Sequence, residues 1–302
     1  MEPVKKKKHS RRRRRNIRLH ILQMLLLGLL LGLAGYYVHY LHRPGTAPVK
    51  CPPKSVGELR VATVNIGLLG VINSPDMVAE FLQAAMQRLD VDVVLVQEYV
   101  EKYKFRFPEF RKIFEKSYPY VSFEGEQAIV SRLPFEPEQY EDFDMSHGSY
   151  ASYLLHVDDS TDVRLISAHL YTTGISGLAR LGDTNVGDYA TAVTSSGKVR
   201  NYQAEVVSRL AAGSDCPVVV AGDYNSLPLS KAYRVMRKAG LQDSYLAAGR
   251  GNGSTFRNFK NLLRIDYVMP DANFCVTHHL VCDDFLSDHR MVVATLSPIP
   301  LR

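Results

Sequence analysis

Polar residues able to bind a metal or move a proton recur at the ends of short apolar runs: Asn65, Gln97-Glu98, His169, Asp223-Tyr224-Asn225, Asp266 and Asp288-His289. Each is ordinary by itself, since an Asn after a strand is a turn residue and Gly-Asp-x-Asn is a common loop. Together they supply carboxylates, amides and two histidines, the inventory for a hard, oxygen-ligated divalent cation combined with proton transfer. Such chemistry requires the groups to converge, and sites in open α/β sheets form where strand ends and loops meet.

The short apolar runs, most of them followed by turn chemistry or a polar tip, read as buried strands: Leu59 to Val64, Val91 to Val96, Gln127 to Val130, Val163 to Ser167, Val218 to Ala221, Ile265 to Met269 and Met291 to Leu296. Helical patterns lie between some of them. Ser74 to Leu89 places Met77, Val78, Phe81, Leu82, Ala85 and Leu89 on one face, and Val199 to Ala212 and Ser230 to Ala239 follow. Strands and helices mix without strict alternation, which predicts a layered α/β sandwich on mixed sheets rather than a barrel or a doubly wound sheet. Tyr171 to Lys198, rich in Gly, Ser and Thr, reads as a long connection that forms a lid or substrate rim directly after His169.

The 302 residues carry a formal net charge of +6, which as an average suggests a nucleic-acid binder. Position changes that inference. Residues 1–50 hold 12 Lys or Arg and one acid, a net of +11, and the rest holds 25 basic against 30 acidic residues, a net of −5. With 46% hydrophobic and 23% charged residues, collagenous, low-complexity and wholly disordered classes are excluded.

The basic block forms a tail over residues 1–20, and an uncharged apolar run follows over 21–41. At about 1.5 Å per residue the run spans about 30 Å, one bilayer crossing. Tyr36, Tyr37 and Tyr40 mark its far end as a headgroup boundary, while the basic block fixes the N-terminus in the cytoplasm and contacts anionic lipid headgroups. The remainder then lies outside, facing the periplasm if the membrane is a bacterial inner membrane. A cleaved signal peptide is the competing reading, opposed by the length of the run and the bulky residues after it. Residues 42–57 carry four Pro and two Gly and read as an extended tether, leaving 58–302 as one large α/β domain. Of the four cysteines, Cys275 with Cys282 is the one pair worth testing for a disulfide.

The ordered segments Val-Ala-Thr-Val-Asn-Ile, Val-Val-Leu-Val-Gln-Glu, Ala-Ile-Val-Ser-Arg-Leu-Pro, Ile-Ser-Ala-His-Leu, Val-Val-Ala-Gly-Asp-Tyr-Asn, Arg-Ile-Asp-Tyr-Val and Leu-Ser-Asp-His-Arg, between Leu59 and Leu296, resemble the successive motifs of the endonuclease/exonuclease/phosphatase superfamily. That superfamily includes pancreatic deoxyribonuclease, abasic-site endonucleases, neutral sphingomyelinases and inositol polyphosphate phosphatases. The resemblance implies a four-layered α/β sandwich, two mixed β-sheets between helices, here preceded by the transmembrane helix. It implies Mg2+, with Mn2+ as a substitute, held by Glu98 with Asn65 and Asp288 near the same metal. Asp266 would fix the tautomer of His289, Asp223 would orient or deprotonate the attacking water, and Asn225 and His169 would bond the phosphoryl oxygens. The general base stays open between Asp223 and the Asp266/His289 pair. Arg200, three residues before Gln203 on one helix face, is read as support for the site, and Thr255 as a phosphate contact.

The same resemblance implies attack of water on phosphorus at a phosphodiester or phosphomonoester, and leaves the leaving group open. Abasic-site enzymes carry a Trp just before the Arg-x-Asp-Tyr segment, whereas Leu263 stands here and the chain has no Trp, which disfavours DNA repair. The acidic body also lacks the summed positive field that drives phosphate-backbone binding, although Arg106, Arg111, Lys112 and Lys116 form a local patch. The favoured expectation is a membrane-anchored phosphodiesterase or nuclease acting outside the cytoplasm. A sphingomyelinase-like lipid phosphodiesterase or an inositol-phosphate phosphatase stands second, and a non-catalytic membrane-tethered binding module third.

Overall fold

Valine-rich runs that do not alternate with polar residues must be covered on both faces. The computed structural model, which describes residues 3–48, 50–67, 75–99, 107–143, 148–172, 186–257, 261–283 and 287–299, covers them in this way. Its strands are β1 (His42–Arg43), β2 (Leu59–Asn65), β3 (Val93–Gln97), β4 (Tyr120–Glu124), β5 (Gln127–Ser131), β6 (Phe135–Asp142), β7 (Ser149–Asp158), β8 (Thr161–His169), β9 (Val218–Asp223), β10 (Gly251–Asn252), β11 (Asp266–Pro270), β12 (Phe274–Cys282) and β13 (Met291–Pro298). Its helices are α1 (Pro3–Tyr36), α2 (Pro75–Arg88), α3 (Phe107–Phe114), α4 (Val186–Ala212), α5 (Lys231–Lys238) and α6 (Ser244–Ala248).

Six strands in the order β12-β13-β2-β3-β5-β4 face five in the order β11-β9-β8-β7-β6. Both sheets are mixed, because β2 runs parallel to β3 and β8 to β9 while the other pairs are antiparallel. Val61, Val93 and Leu95 point between the sheets and meet Tyr153, Leu165, Val219 and Val268. The alternate residues Ala62, Val64, Val94 and Val96 point outward against Val78, Leu82 and Met86 of α2 and Phe114 of α3. On the far side, Ile166, Ala168 and Val220 pack with Ala204 and Val207 of α4 and Met236 of α5. The result is the four-layered α/β sandwich. At about 1.5–3 kcal/mol for each large apolar side chain, these three cores carry most of the favourable burial.

All seven expected runs are strands. Six further strands escaped the hydrophobic pattern: β1 and β10 are a two-residue pair outside the sandwich, and of the four within it β4, β6 and β12 are sheet edges, where one side is solvated and polar residues are tolerated. The other strand of the sandwich, β7, carries Ser149, Ser152 and His156 among its apolar residues.

Three expectations change. Helix α4 begins at Val186, so the connection read over Tyr171 to Lys198 is helical in its second half; residues 173–185 lie outside the described residues, as does Arg106 of the local patch. Thr and Ser are weak helix formers, but the Ser195 hydroxyl donates to the Thr191 carbonyl at 2.8 Å and so stays satisfied within the helix. Cys275 and Cys282 are both free, and seven residues apart on one strand they sit about 23 Å from each other, far beyond disulfide reach.

The third change concerns the tether. Helix α1 passes into a π-helical turn, Tyr37–Leu41, and Ile17–Leu41 is long and apolar enough to cross a membrane, four residues longer than the expected span. The following segment does not hang free. Strand β1 pairs with β10, the Arg60 guanidinium donates to the Pro52 carbonyl at 2.7 Å, Lys54 bonds Asp92, and Cys51 packs against the outer core. Proline excludes helix here but leaves carbonyls and side chains able to dock.

Strand register brings the polar ends to one edge of the sandwich. Asn65 lies beside Gln97 across β2 and β3, Asp223 opposite Asp266 across β9 and β11, and His169 opposite Ser149 across β8 and β7.

Candidate active site

Asp223 is the centre of the cluster. It is buried, and its Oδ2 accepts from Asn65 Nδ2 at 3.1 Å and Asn225 Nδ2 at 3.2 Å. The same oxygen lies 3.8 Å from His289 Nε2 and 3.9 Å from His169 Nε2. Its other oxygen accepts the Asn225 amide at 2.8 Å, a turn that Asn225 closes at φ 46. Gly222 makes the approach feasible: at φ 148 any Cβ would run into the Ala168 carbonyl. Burial, and next the Asp266 carboxylate, raise the Asp223 carboxyl above the usual range, against the pull of His289 and His169.

Each histidine has its own carboxylate. His289 Nδ1 lies 3.0 and 3.1 Å from the two Asp266 oxygens, and its ring packs on Phe256 at 4.8 Å between centroids. Burial alone would lower the His289 pKa, but Asp266 and Asp223 outweigh it and raise it to about 10. His169 Nδ1 bonds Glu126 Oε1 at 2.9 Å; burial again opposes, and Glu126, Asp223 and Glu98 together raise the ring to about 9. A carboxylate on Nδ1 assigns the proton there and turns Nε2 toward the cleft. His169 Nε2 is buried and has no hydrogen-bond partner among the described residues, an atom aimed at a ligand.

Glu126 was not found by sequence reasoning. It sits in the turn between β4 and β5 and carries no motif. A buried chain of hydrogen bonds leads to it: Gln97 Nε2 donates to Thr63 and Ser167, the Ser167 hydroxyl to Gln127, Gln127 Nε2 to Ser149, and the Ser149 hydroxyl to Glu126. Gln97 is thereby a link between the sheets rather than a member of the site.

Glu98 and Asp288 are the carboxylates that could hold a cation. Glu98 stands just past β3 at φ 58, a left-handed conformation that is strained for a side chain of this size. Its Oε1 accepts from Asn65 Nδ2 at 2.9 Å and lies 3.6 Å from His169 Nε2. Gly67 leaves room for it: with the Glu98 side chain where it stands, a Cβ there would overlap the carboxylate. The Asp288 carboxyl is raised by burial and by the Glu98 charge, with His289 opposing, so two acids face one space and favour a cation between them. Two carboxylates with open valences fit a small hard ion. Asn65 stands between Glu98 and Asp223: its nitrogen donates to both, and its amide oxygen accepts from Gly67 N–H at 2.9 Å, which leaves that oxygen a second lone pair. Asp223, Asp266 and His289 also place atoms within 4.8 Å of one another, but the Asp266–His289 hydrogen bonds already occupy that trio.

Arg200 is buried and donates to the Tyr171 carbonyl at 3.1 Å; burial lowers its pKa against the pull of Asp223, which places it behind the site. Thr255, expected as a phosphate contact, is buried, and its hydroxyl oxygen accepts the amides of Ile265 and Asp266, each at 3.0 Å, fixing the start of β11. A cavity of about 720 Å3 lies at the opposite ends of the strands, beside Cys216, Asp271 and Ile299, and holds none of these groups.

The model of the Endonuclease/Exonuclease/phosphatase family matches residues 62–289. No curated protein matches the chain. Among solved structures, an endonuclease/exonuclease/phosphatase family protein from Bacteroides thetaiotaomicron is 19% identical, with 79% of this chain and 94% of that one covered at a TM-score of 0.56. A mannosyl-6-phosphatase from the same organism is 19% identical over 79% of this chain and 99% of its own, TM-score 0.56. TDP2 of D. rerio, complexed with single strand DNA product, is 18% identical over 80% and 99%, TM-score 0.58. At these identities the likeness is one of fold.

Proposed function

The chain belongs to the endonuclease/exonuclease/phosphatase family, and from that premise we propose that it is a membrane-anchored, Mg2+-dependent phosphoesterase hydrolysing a phosphodiester by in-line attack of water. The observation that carries this reading is the convergence on Asp223 of two carboxylate-held imidazoles and two amides.

Glu98 and Asp288 would hold the cation, Mg2+ or in its place Mn2+, whose charge offsets that of the phosphoryl group. Asp223 accepts the proton of the attacking water. Its raised carboxyl is the better base of the two candidates, because His289 is held protonated by Asp266 and cannot accept. As the bond from water oxygen to phosphorus forms, the bond to the leaving oxygen breaks, and an imidazolium, His289 or His169, supplies that oxygen with a proton. Asn225 and His169 donate to the phosphoryl oxygens as charge builds. Arg200 steadies the cleft from behind.

The apolar length of Ile17–Leu41 and the basic block before it support a single-pass anchor with the N-terminus cytoplasmic and the body outside. The test uses the full chain in detergent with plasmid DNA, RNA, an aryl phosphodiester, sphingomyelin and inositol phosphates, with Mg2+ or chelator, beside His289→Ala and Glu98→Ala. Metal-dependent turnover lost in both variants is expected. No turnover of any substrate would favour a binding module, and equal activity in all three proteins would overturn the site.

A further inference from the structure

The end of the apolar helix is part of the folded body. Leu41 is 2% exposed, its carbonyl accepts from Gly253 N–H at 2.7 Å, and the Tyr40 carbonyl accepts from Arg264 Nε at 2.9 Å. The Arg43 amide donates to the Tyr245 hydroxyl at 2.9 Å and its guanidinium to the Tyr245 carbonyl at 3.1 Å. No slack separates the span from the body, so whatever surrounds this junction lies in the headgroup layer of the bilayer that the helix crosses.

The surroundings include the rim of the site. Arg264 is two residues before Asp266, and Gly253 is two before Thr255, whose hydroxyl accepts the Asp266 amide. The Tyr267 hydroxyl lies 2.9 Å from the Arg264 carbonyl and 2.7 Å from the Ser226 carbonyl, which ties the junction to the loop that follows Asn225. Leu227 and Leu229 follow Asn225 in that loop, and Leu262 precedes Leu263, whose carbonyl accepts from the Thr255 amide at 3.0 Å; the three are 38%, 47% and 48% exposed. Leu229 stands at φ 72, a conformation disfavoured for its side chain. Exposed Arg250 beside β10 adds positive charge at the junction. Apolar tips beside a cation are the composition of a surface that enters a lipid interface.

We infer that the Leu227, Leu229 and Leu262 rim is a membrane-contact surface, seated on the bilayer that the chain's own helix crosses, and that the substrate of the site is a phosphoester carried by a lipid headgroup. The inference rests on the anchored phosphoesterase reading. A headgroup phosphate enters the cleft from the same plane in which the rim sits, and the acidic body needs no positive field to draw it in. A soluble polyanion gains nothing from three leucines at the mouth.

The chain has no Trp, so a single indole reports its own surroundings. The full chain is reconstituted in vesicles of phosphatidylcholine, phosphatidylethanolamine, phosphatidylglycerol and sphingomyelin in equal parts, with or without brominated acyl chains. Leu227→Trp and Leu262→Trp are compared with Tyr120→Trp, at the opposite strand ends and also exposed. Blue-shifted emission and severalfold stronger quenching in the two rim variants are expected; quenching no greater than in Tyr120→Trp overturns the membrane contact. Phosphorus NMR of the same vesicles and turnover of a soluble aryl phosphodiester then separate the levels. Leu227→Ser with Leu262→Ser should lower the ratio of lipid to aryl-diester turnover about tenfold. Aryl-diester turnover without lipid turnover overturns the substrate class alone, and absence of both overturns the phosphoesterase reading beneath it.

Discussion

Glu126 Oε1 sits 2.9 Å from His169 Nδ1, and this pair matches Asp266 with His289 on the other side of Asp223. Two imidazoles, one at the end of β8 and one just before β13, are thus held with Nε2 toward one carboxylate. The arrangement makes proton transfer a property of the cluster and gives each orienting acid a testable role.

Glu126→Gln keeps an acceptor for His169 but removes its charge, so the His169 pKa should fall from about 9 toward its ordinary value. Because the group is active when protonated, the loss appears as pH rises: kcat/KM should drop about tenfold near pH 8 and little near pH 6. A pH–rate profile beside an NMR titration of His169 checks this, and superimposable profiles would refute the role.

Chelation should abolish turnover, and Glu98→Gln should lower kcat/KM by about a hundredfold or more, since the change removes charge where the cation binds. Recovery of the variant at high Mn2+ measures how much of the loss is binding.

Gly67→Ala places a methyl group into the Glu98 carboxylate. Expected is metal affinity weakened at least about tenfold by calorimetry, with the melting temperature little changed. Unchanged affinity would show that Glu98 is free to move aside.

Asp243 and Arg264 form a bidentate, fully buried ion pair at 2.8 and 3.0 Å. Asp243→Asn leaves the guanidinium without its charge partner and should cost about 3–5 kcal/mol. For a body of this size that is a fall of roughly 10 °C in melting temperature, read by thermal unfolding.

His279 is buried beside Ser244, and burial drives its pKa down to about 3. The unfolded chain therefore binds a proton here that the folded one refuses. The resulting stability is complete above about pH 6.5 and is lost as pH falls toward 3, up to about 5 kcal/mol in all. His279→Gln should flatten the acid limb of stability against pH in urea unfolding; an unchanged slope would place the acid sensitivity elsewhere.

The candidate polar groups were legible because most stand at an end of a run that is buried on both faces, and an ionisable residue at such a place has few structural uses. Glu126 was not, because a glutamate at a hairpin turn looks solvated until β5 is paired beside β3 and the intersheet chain from Gln97 reaches it. Thr255 looked like a phosphate contact because its segment lies near the motif, yet what its hydroxyl touches depends on how β11 begins.

The sequence by itself determined the layered α/β body, the chemistry at its strand ends and an N-terminal helix apolar enough for a bilayer, because burial and charge leave periodic and compositional traces along the chain. Only the tertiary structure decided that the helix end is bonded into the folded body rather than joined to it by a free tether. The contacts responsible join residues such as Arg43 and Tyr245, 202 positions apart. Periodicity records that a residue is buried, and it is folding that supplies the partner.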